Sequence, residues 1–297
     1  MQLRRSESDA RRGATVSEQA SRLVLLGTAG GPTPKLERSA PAYAAVVNDD
    51  VYLVDAGNGV GRQLVRAGLD INRLRVVAVT HHHSDHVADV GAVLLLAWGT
   101  GLTSPVRVVG PKPIRKMIDS YLDFADVDVQ TRMADEARPG PEALIDVHEL
   151  SGAGPVYEDE NVRISTCLVD HPPMLAHAYR IDTPDRSYVF SGDTTPNDDL
   201  IALAQGADIL VHEVMHLPSI DSLVEAAGAP PGLRSHLVNS HTSTADVGRV
   251  ACEAGVGMLV LIHLVPTDGG PSAEVWTQEA KRDFDGEVIL GEDLMEL

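Results

Sequence analysis

The sequence predicts a globular protein of the α/β or α+β class with mixed β-sheets. Short apolar segments, which are typical of buried strands, alternate with segments of helical spacing along the 297 residues. Apolar residues make up 43% of the chain and charged residues 23%, which is enough to build a sizeable core and excludes disordered, collagen-like and coiled-coil proteins. A chain of this length can form one large domain or two small ones.

Composition also limits where the protein acts. Only Cys167 and Cys252 are present, so a disulfide scaffold is excluded and a reducing, cytoplasmic location is expected. The longest apolar run, residues 90–98, is far shorter than the about 20 residues of a membrane span. We expect residues 1–21, which contain no apolar stretch, to form a flexible tail and residues 22–297 to form one domain.

The chain is strongly acidic, with a formal net charge of −19 at neutral pH. A body this acidic would repel a long polyanion unless a local basic patch or bound metal ions offset the charge. Charge alone therefore favours a small substrate over a nucleic acid.

The first part of the chain predicts four strands and one helix. The first apolar segment runs into a loop rich in Gly and Pro, which indicates a buried strand. The segment of helical spacing stops at Gly68, and glycine is a common residue at helix C-termini. The predicted strands are 23–26, 43–47, 51–54 and 74–80, and the predicted helix is 60–67.

The rest of the chain is less regular. The stretch 126–160 mixes acidic residues with Pro and Gly, and within it we expect only one strand, 144–150. Residues 217–240 are expected to be a loop. The other predicted strands are 106–109, 162–169, 178–181, 188–190, 209–211 and 258–262, and the other predicted helices are 113–124, 199–205 and 244–254.

The densest group of potential metal ligands is His81-x-His83-x-Asp85-His86, directly after an apolar strand. Alternate residues of an extended segment point the same way, so His81 and His83 can bind one cation. Asp85 and His86 lie in the following turn and can bind a second. Imidazole and carboxylate together favour zinc, iron or manganese over calcium. Between two ligands, His82 should point away, and it receives no role.

Three more potential ligands lie at or beside the ends of apolar strands: His171, Asp193 and His263. Taken singly, each could be a hydrogen-bonded histidine or a turn aspartate. Seven ligand-type side chains at strand ends instead predict one metal site at the edge of a sheet.

Several motifs resemble the metallo-β-lactamase-fold hydrolases, and within them the branch of ribonuclease Z and arylsulfatase-like enzymes. These motifs are Leu26-Gly-Thr…Pro32, Val54-Asp-Ala-Gly57, Arg62-Gln-Leu64, Thr80 to His86 and Ser191-Gly-Asp-Thr194, and the resemblance extends over residues 23–297. It implies an α+β four-layer αββα sandwich, with two mixed β-sheets flanked by helices and the site at one edge of both sheets.

The resemblance also implies roles for the seven ligands. The first metal ion would be held by His81, His83 and His171, the second by Asp85, His86 and His263, and Asp193 would bridge the two. We expect two divalent ions, zinc in preference to manganese or iron. A hydroxide shared by metal ions about 3.5–4 Å apart would be the nucleophile.

Two further motifs resemble ribonuclease Z. His212-Glu-Val-Met215 and Ser240-His-Thr-Ser-Thr244 imply that Glu213 and His241 form a pair near the phosphate, in which His241 protonates the leaving oxygen. Together with Asp85, these are the expected catalytic residues. Alternatively, His241 could cap the following helix and Glu213 could orient a metal ligand.

The arm with which ribonuclease Z grips tRNA has no counterpart in this sequence. In bacterial forms the arm is inserted between the positions of His171 and Asp193, and here residues 172–192 leave no room for it. Lys35 and Arg38 are too few charges for a tRNA footprint. We therefore expect a small-molecule ester substrate, no nucleic-acid or membrane partner and, by association with the superfamily, a homodimer.

The leading hypothesis is a dinuclear metal hydrolase of a small ester, and a phosphodiester comes first because of Glu213 and His241. Aryl sulfates, lactones and β-lactams are further substrate classes, with β-lactams last because true β-lactamases of the fold lack the bridging aspartate. A metal-binding scaffold without turnover and iron-based redox chemistry are the alternatives from other classes.

Residues 216–240 join the two ribonuclease Z-like motifs, so both ends of this segment should lie beside the metal ions. The segment contains more apolar residues than a solvated loop needs. We expect either a surface loop with a small core of its own or a partly mobile lid over an apolar pocket.

Overall fold

The structure, a computed structural model, describes residues 20–297 and contains two β-sheets. In the first sheet, hydrogen-bonded neighbours follow the order of the chain, with β2 and β3 antiparallel to their predecessors and β4, β5 and β6 parallel. Its strands are β1 Arg22–Gly27, β2 Ala42–Val47, β3 Asp50–Val54, β4 Leu74–Ala78, β5 Val106–Pro111 and β6 Ile145–Leu150.

The second sheet has seven strands, and its order also follows the chain. The first four strands are antiparallel to one another, whereas the last four are parallel. They are β7 Gly154–Glu158, β8 Arg163–His171, β9 Met174–Asp182, β10 Ser187–Phe190, β11 Ile209–Met215, β12 Met258–Val265 and β13 Glu287–Leu290.

Helices connect the strands, and several of them cover the outer faces of the two sheets. Those of the first half are α1 Val60–Arg66, α2 Ser84–Val87, α3 Val90–Thr100, α4 Ile114–Phe124 and α5 Asp126–Glu136. Those of the second half are α6 Asp198–Leu203, α7 Ile220–Ala226, α8 Leu233–Ser240, α9 Thr244–Ala254 and α10 Ala273–Ala280.

Three apolar clusters hold these layers together. The cluster between the two sheets contains several buried tyrosines, and the rings of Tyr43 and Phe190 stack across it with centroids 5.9 Å apart. A second cluster joins the first sheet to α1, α3 and α4, and a third joins the second sheet to α6, α9 and α10. Helix, sheet, sheet and helix therefore form four layers, and the predicted αββα sandwich is confirmed.

Two stretches expected to be irregular are helical instead. Helix α5 has a polar sequence typical of a loop, and Val129 is its buried residue. Its helical conformation is stabilised by ion pairs, because the guanidinium of Arg132 lies 3.1 Å from the Asp128 carboxylate and 3.4 Å from that of Glu136. In the predicted loop 217–240, α7 and α8 form because each buries an apolar residue, Ile220 and Leu237 respectively. Strands β7 and β13 and helices α3 and α10 were not expected either.

The predicted tail, residues 1–21, lies outside the described residues except for its last two. Ser21 is buried, and its backbone N–H donates to Asp185 while its hydroxyl is 2.9 Å from that of Tyr188. Within residues 20–297, no helix is long and apolar enough to span a membrane. The boundary of a single domain at residue 22 and the homodimer stay predictions.

Candidate metal centre

The seven predicted ligands converge where strands of both sheets end. His81, His83, Asp85 and His86 follow β4, His171 ends β8 and Asp193 follows β10. His263 lies within β12 at a bulge opposite β11, and its φ of 46° is in the left-handed region. All except His83 are buried.

The first group is made of three imidazole nitrogens. His83 Nδ1 lies 3.0 Å from His81 Nε2 and 3.1 Å from His171 Nε2. The other nitrogens of two rings are fixed from behind, because His171 Nδ1 donates to the Ser240 carbonyl (2.8 Å) and His81 Nδ1 is 3.0 Å from the Thr80 hydroxyl. Three imidazole nitrogens thus lie close together, and two of their rings are held from behind.

The second group combines a carboxylate with two imidazoles. Asp85 Oδ2 lies 3.6 Å from His86 Nε2 and 3.4 Å from His263 Nε2. The ring of His86 is oriented by Asp55, whose Oδ2 accepts a hydrogen bond of 2.7 Å from His86 Nδ1.

Asp193 lies between the two groups. Its Oδ2 is 3.7 Å from His81 Nε2 and 3.3 Å from His263 Nε2, and its Oδ1 is 3.5 Å from His86 Nε2. A single carboxylate therefore reaches nitrogens of both groups, as a bridging ligand must.

The chemistry of this donor set fits metal ions. Buried Asp193 Oδ1 and His86 Nε2 have no hydrogen-bond partner within the described chain, although buried polar atoms normally have one. Burial raises the pKa of the Asp193 carboxyl, but His263 and His86 outweigh it and hold that pKa well below the usual range. Burial, with His171, lowers the pKa of His83 to about 4. At neutral pH this aspartate is ionised and His83 is neutral, which are the forms that bind divalent metal ions.

The sequence did not assign a role to Asp55, which the structure places directly behind the ligands. Asp55 is fully buried, and its carboxylate accepts hydrogen bonds from the backbone N–H (2.8 Å) and the hydroxyl (2.9 Å) of Thr80 as well as from His86. The sequence did contain a signal for this role. Asp55 directly follows β3, and β3 is the parallel neighbour of β4, which precedes His81.

Glu213 and His241 form the expected pair beside the cluster. Glu213 Oε1 lies 3.2 Å from His241 Nδ1 and accepts a hydrogen bond of 2.8 Å from the backbone N–H of Thr242. Burial lowers the pKa of His241, but the Glu213 carboxylate outweighs it and raises that pKa to about 9. His241 is therefore protonated at neutral pH. His82 faces away, and its Nε2 donates to the Pro111 carbonyl (2.8 Å).

A cavity of about 350 Å³ opens over the ligands, and α7 and α8 form part of its wall. Leu223 of α7, Ala227 directly after it and Leu237 of α8 line the cavity, and so does His236 of α8, which matches no sequence motif. The ring of His236 lies 5.7 Å from that of His83 and 5.6 Å from that of His171, measured between centroids. Leu237 also packs in the small apolar cluster of Met215, Ile220 and Val265, which holds α8 beside the cavity.

A second cavity, of about 560 Å³, adjoins the first and is lined by basic side chains. Lys35 and Arg38 come from the loop after β1, and Arg62 and Arg66 come from α1. The two cavities share Ser84 and Asp85 as well as part of the loop before β2.

Comparison with known proteins gives consistent results. Residues 51–264 match the family model described as the beta-lactamase superfamily domain. The chain is 33% identical over 276 residues to ribonuclease Z of Mycobacterium bovis (strain BCG / Pasteur 1173P2), covering 92% of this chain and 96% of that protein.

Two solved structures share the fold. The metallo-beta-lactamase fold protein YhfI from Bacillus subtilis has a TM-score of 0.70 at 21% identity, covering 94% of this chain and all of that one. Human tRNase Z, short form, has a TM-score of 0.68 at 19% identity, covering 93% and 98%.

The expectation of a small-molecule ester partner and no nucleic acid is wrong, because a relative aligned over nearly the full length of both chains is a ribonuclease. The physical reason is that the net charge of the chain is a sum over the whole surface and does not reveal a local cluster of basic side chains. Folding places two pairs of basic residues that are separated in the sequence, Lys35 with Arg38 and Arg62 with Arg66, around one cavity. Strands β9 and β10 do occupy most of residues 172–192, so this segment has no room for an inserted arm, as expected. The missing arm did not, however, determine the class of substrate.

Proposed function

The chain belongs to the beta-lactamase superfamily and is a metal-dependent hydrolase, and from this premise we propose that it cleaves phosphodiester bonds of RNA. The observation that carries the proposal is the position of Asp193, one carboxylate between two complete ligand groups in a chain aligned with ribonuclease Z over 92% of its length. We also propose zinc as the metal, because three imidazoles, or two imidazoles with a carboxylate, are typical zinc ligands.

The proposed ligand assignment follows the two groups. His81, His83 and His171 would hold the first ion, Asp85, His86 and His263 would hold the second, and Asp193 would serve as a ligand shared by both groups. When bound, two divalent ions supply Lewis acidity at the phosphate oxygens and lower the pKa of water at the site.

Other side chains position these ligands and control protons. Asp55 fixes the ring of His86, and the Ser240 carbonyl fixes that of His171, so two ligands cannot rotate out of place. His241 lines the cavity and is protonated, and Glu213 engages its Nδ1. Its Nε2 proton is therefore available to the oxygen that leaves when the P–O bond breaks, which makes His241 the proposed general acid.

The proposal is tested with a precursor tRNA that carries a 3′ trailer and with the chromogenic diester bis(p-nitrophenyl) phosphate. The zinc-loaded protein should cleave both, Asp193→Ala should cleave neither at a comparable rate, and His82→Ala should behave as the parent. Hydrolysis of the diester without any cleavage of RNA would contradict the RNA assignment, and inactivity on both would contradict the proposed centre.

A further inference from the structure

The second cavity contains a concentration of positive charge that is unusual for this protein. The chain carries a formal charge of −19, yet Lys35, Arg38, Arg62 and Arg66 all line this one cavity. The only carboxylate among its lining residues is that of Asp85, a proposed metal ligand. We call this cavity the basic groove.

The four basic side chains differ in what holds them. Arg38 donates to the Gly291 carbonyl (2.6 Å), and Lys35 pairs with exposed Asp268 at 3.3 Å. Arg62 and Arg66 are exposed, and within residues 20–297 no carboxylate oxygen lies within 4.0 Å of either guanidinium. The only side-chain hydrogen bond described for this pair runs from Arg66 to Gln63 Oε1 (2.8 Å).

Arg62 and Arg66 are four residues apart on α1, so they project from the same face of the helix. Two guanidinium groups side by side repel each other, and that repulsion is relieved when anionic groups lie between or beside them. Guanidinium groups bind phosphate oxygens through paired N–H donors. This face of α1 is therefore suited to phosphate groups.

The basic groove adjoins the cavity over the metal ligands. Pro32, Thr33, Ser84 and Asp85 line both cavities, so the two meet along these residues. A strand whose scissile phosphate lies at the ligands can extend from there along α1. Proteins that bind single strands commonly follow the backbone with such a positively charged groove.

We infer that the basic groove binds the sugar–phosphate backbone of single-stranded RNA next to the scissile bond, with Arg62 and Arg66 as its phosphate contacts. The inference rests on the proposed function for the position of the scissile phosphate. It adds a second binding surface, which would replace part of what an inserted arm supplies and would act on the strand rather than on a folded tRNA.

The test compares Arg62→Gln/Arg66→Gln with the control Lys281→Gln/Arg282→Gln, which removes the same charge from exposed positions beyond α10 that line neither cavity. Binding of a fluorescent single-stranded RNA of about 12 nucleotides is followed by anisotropy across a salt series. Cleavage of the same RNA is compared with hydrolysis of bis(p-nitrophenyl) phosphate.

We expect the groove variant to bind RNA about tenfold more weakly, chiefly as a raised KM, since two exposed charge contacts are lost. The slope of log K against log salt should become shallower by about 1.4, because each single-strand phosphate contact contributes about 0.7. The ratio of kcat/KM for RNA to kcat/KM for bis(p-nitrophenyl) phosphate should fall as RNA binding weakens. The control variant should match the parent.

Other results separate the two claims. If the groove variant binds and cleaves RNA as the control does, or loses RNA and diester turnover equally, the inference is wrong. If the parent binds RNA without cleaving it and only the groove variant loses that binding, the groove is supported and the proposed function fails.

Discussion

The segment 81–86, which follows β4 and runs into α2, and the second sheet contribute to the same metal centre in different ways. The segment supplies four proposed ligands within six residues, whereas His171, Asp193 and His263 lie in or just after three separate strands. The first set is local and needs only a strand that ends in a turn. The second set meets the first only because the two sheets pack face to face, so its position at the site depends on the complete fold.

The largest expected effect tests whether the dispersed set is as necessary as the local one. Asp193→Ala and His83→Ala should each lower kcat/KM for RNA more than 100-fold, since even residues behind a ligand cost about 10–100-fold. The control is His82→Ala, with a change of about twofold at most. A large loss for His83→Ala alone would show that the local set acts without the second sheet.

A smaller loss of activity should follow from changing Asp55, which directly follows β3 and contacts His86 of α2. Asp55→Asn keeps the size of the side chain but weakens the hydrogen bond that orients His86. Activity and metal affinity should fall about 10–100-fold, measured by RNA cleavage and by competition with a chelator. An unchanged metal affinity would mean that His86 needs no support from behind.

Removing the charge of Glu213 should shift the pH dependence of kcat. Without that carboxylate, the pKa of His241 should drop from about 9 to about 6.5 or below, because burial still opposes its charge. As a proton donor His241 is active when protonated, so in Glu213→Gln the alkaline limb of kcat should move to lower pH, with a loss of about thirtyfold near pH 8. Glu225→Gln, at an exposed position of α7, is the control. Superimposable profiles would exclude His241 as the general acid.

The smallest effect concerns the helices over the cavity. Ala227 lines the cavity, and neighbouring Ala226 is exposed without lining it. Ala227→Glu should raise KM for RNA about two- to fivefold through charge repulsion, with metal content unchanged, while Ala226→Glu should not. Equal values for the two variants would show that substrate does not reach this wall. Whether residues 216–240 move as a lid stays a prediction.

The sequence predicted most of the strands that end at the metal centre, because short apolar segments followed by polar residues leave a local signal. It did not predict α5, α7 and α8, whose polar or mixed sequences are stabilised by ion pairs and by packing on other elements. Asp55 and the basic groove were missed for a related reason. Their roles depend on neighbours that are distant in sequence, such as His86 for Asp55 and α1 for Lys35.

Metal content tests the central claim most directly, since seven side chains of both sheets are proposed to hold two ions. Plasma mass spectrometry of the purified protein, exchanged into metal-free buffer, should find about two divalent ions per chain, and Asp193→Ala should retain fewer. A parent protein that cleaves RNA with almost no bound metal, or an Asp193→Ala variant that keeps both ions, would contradict the account.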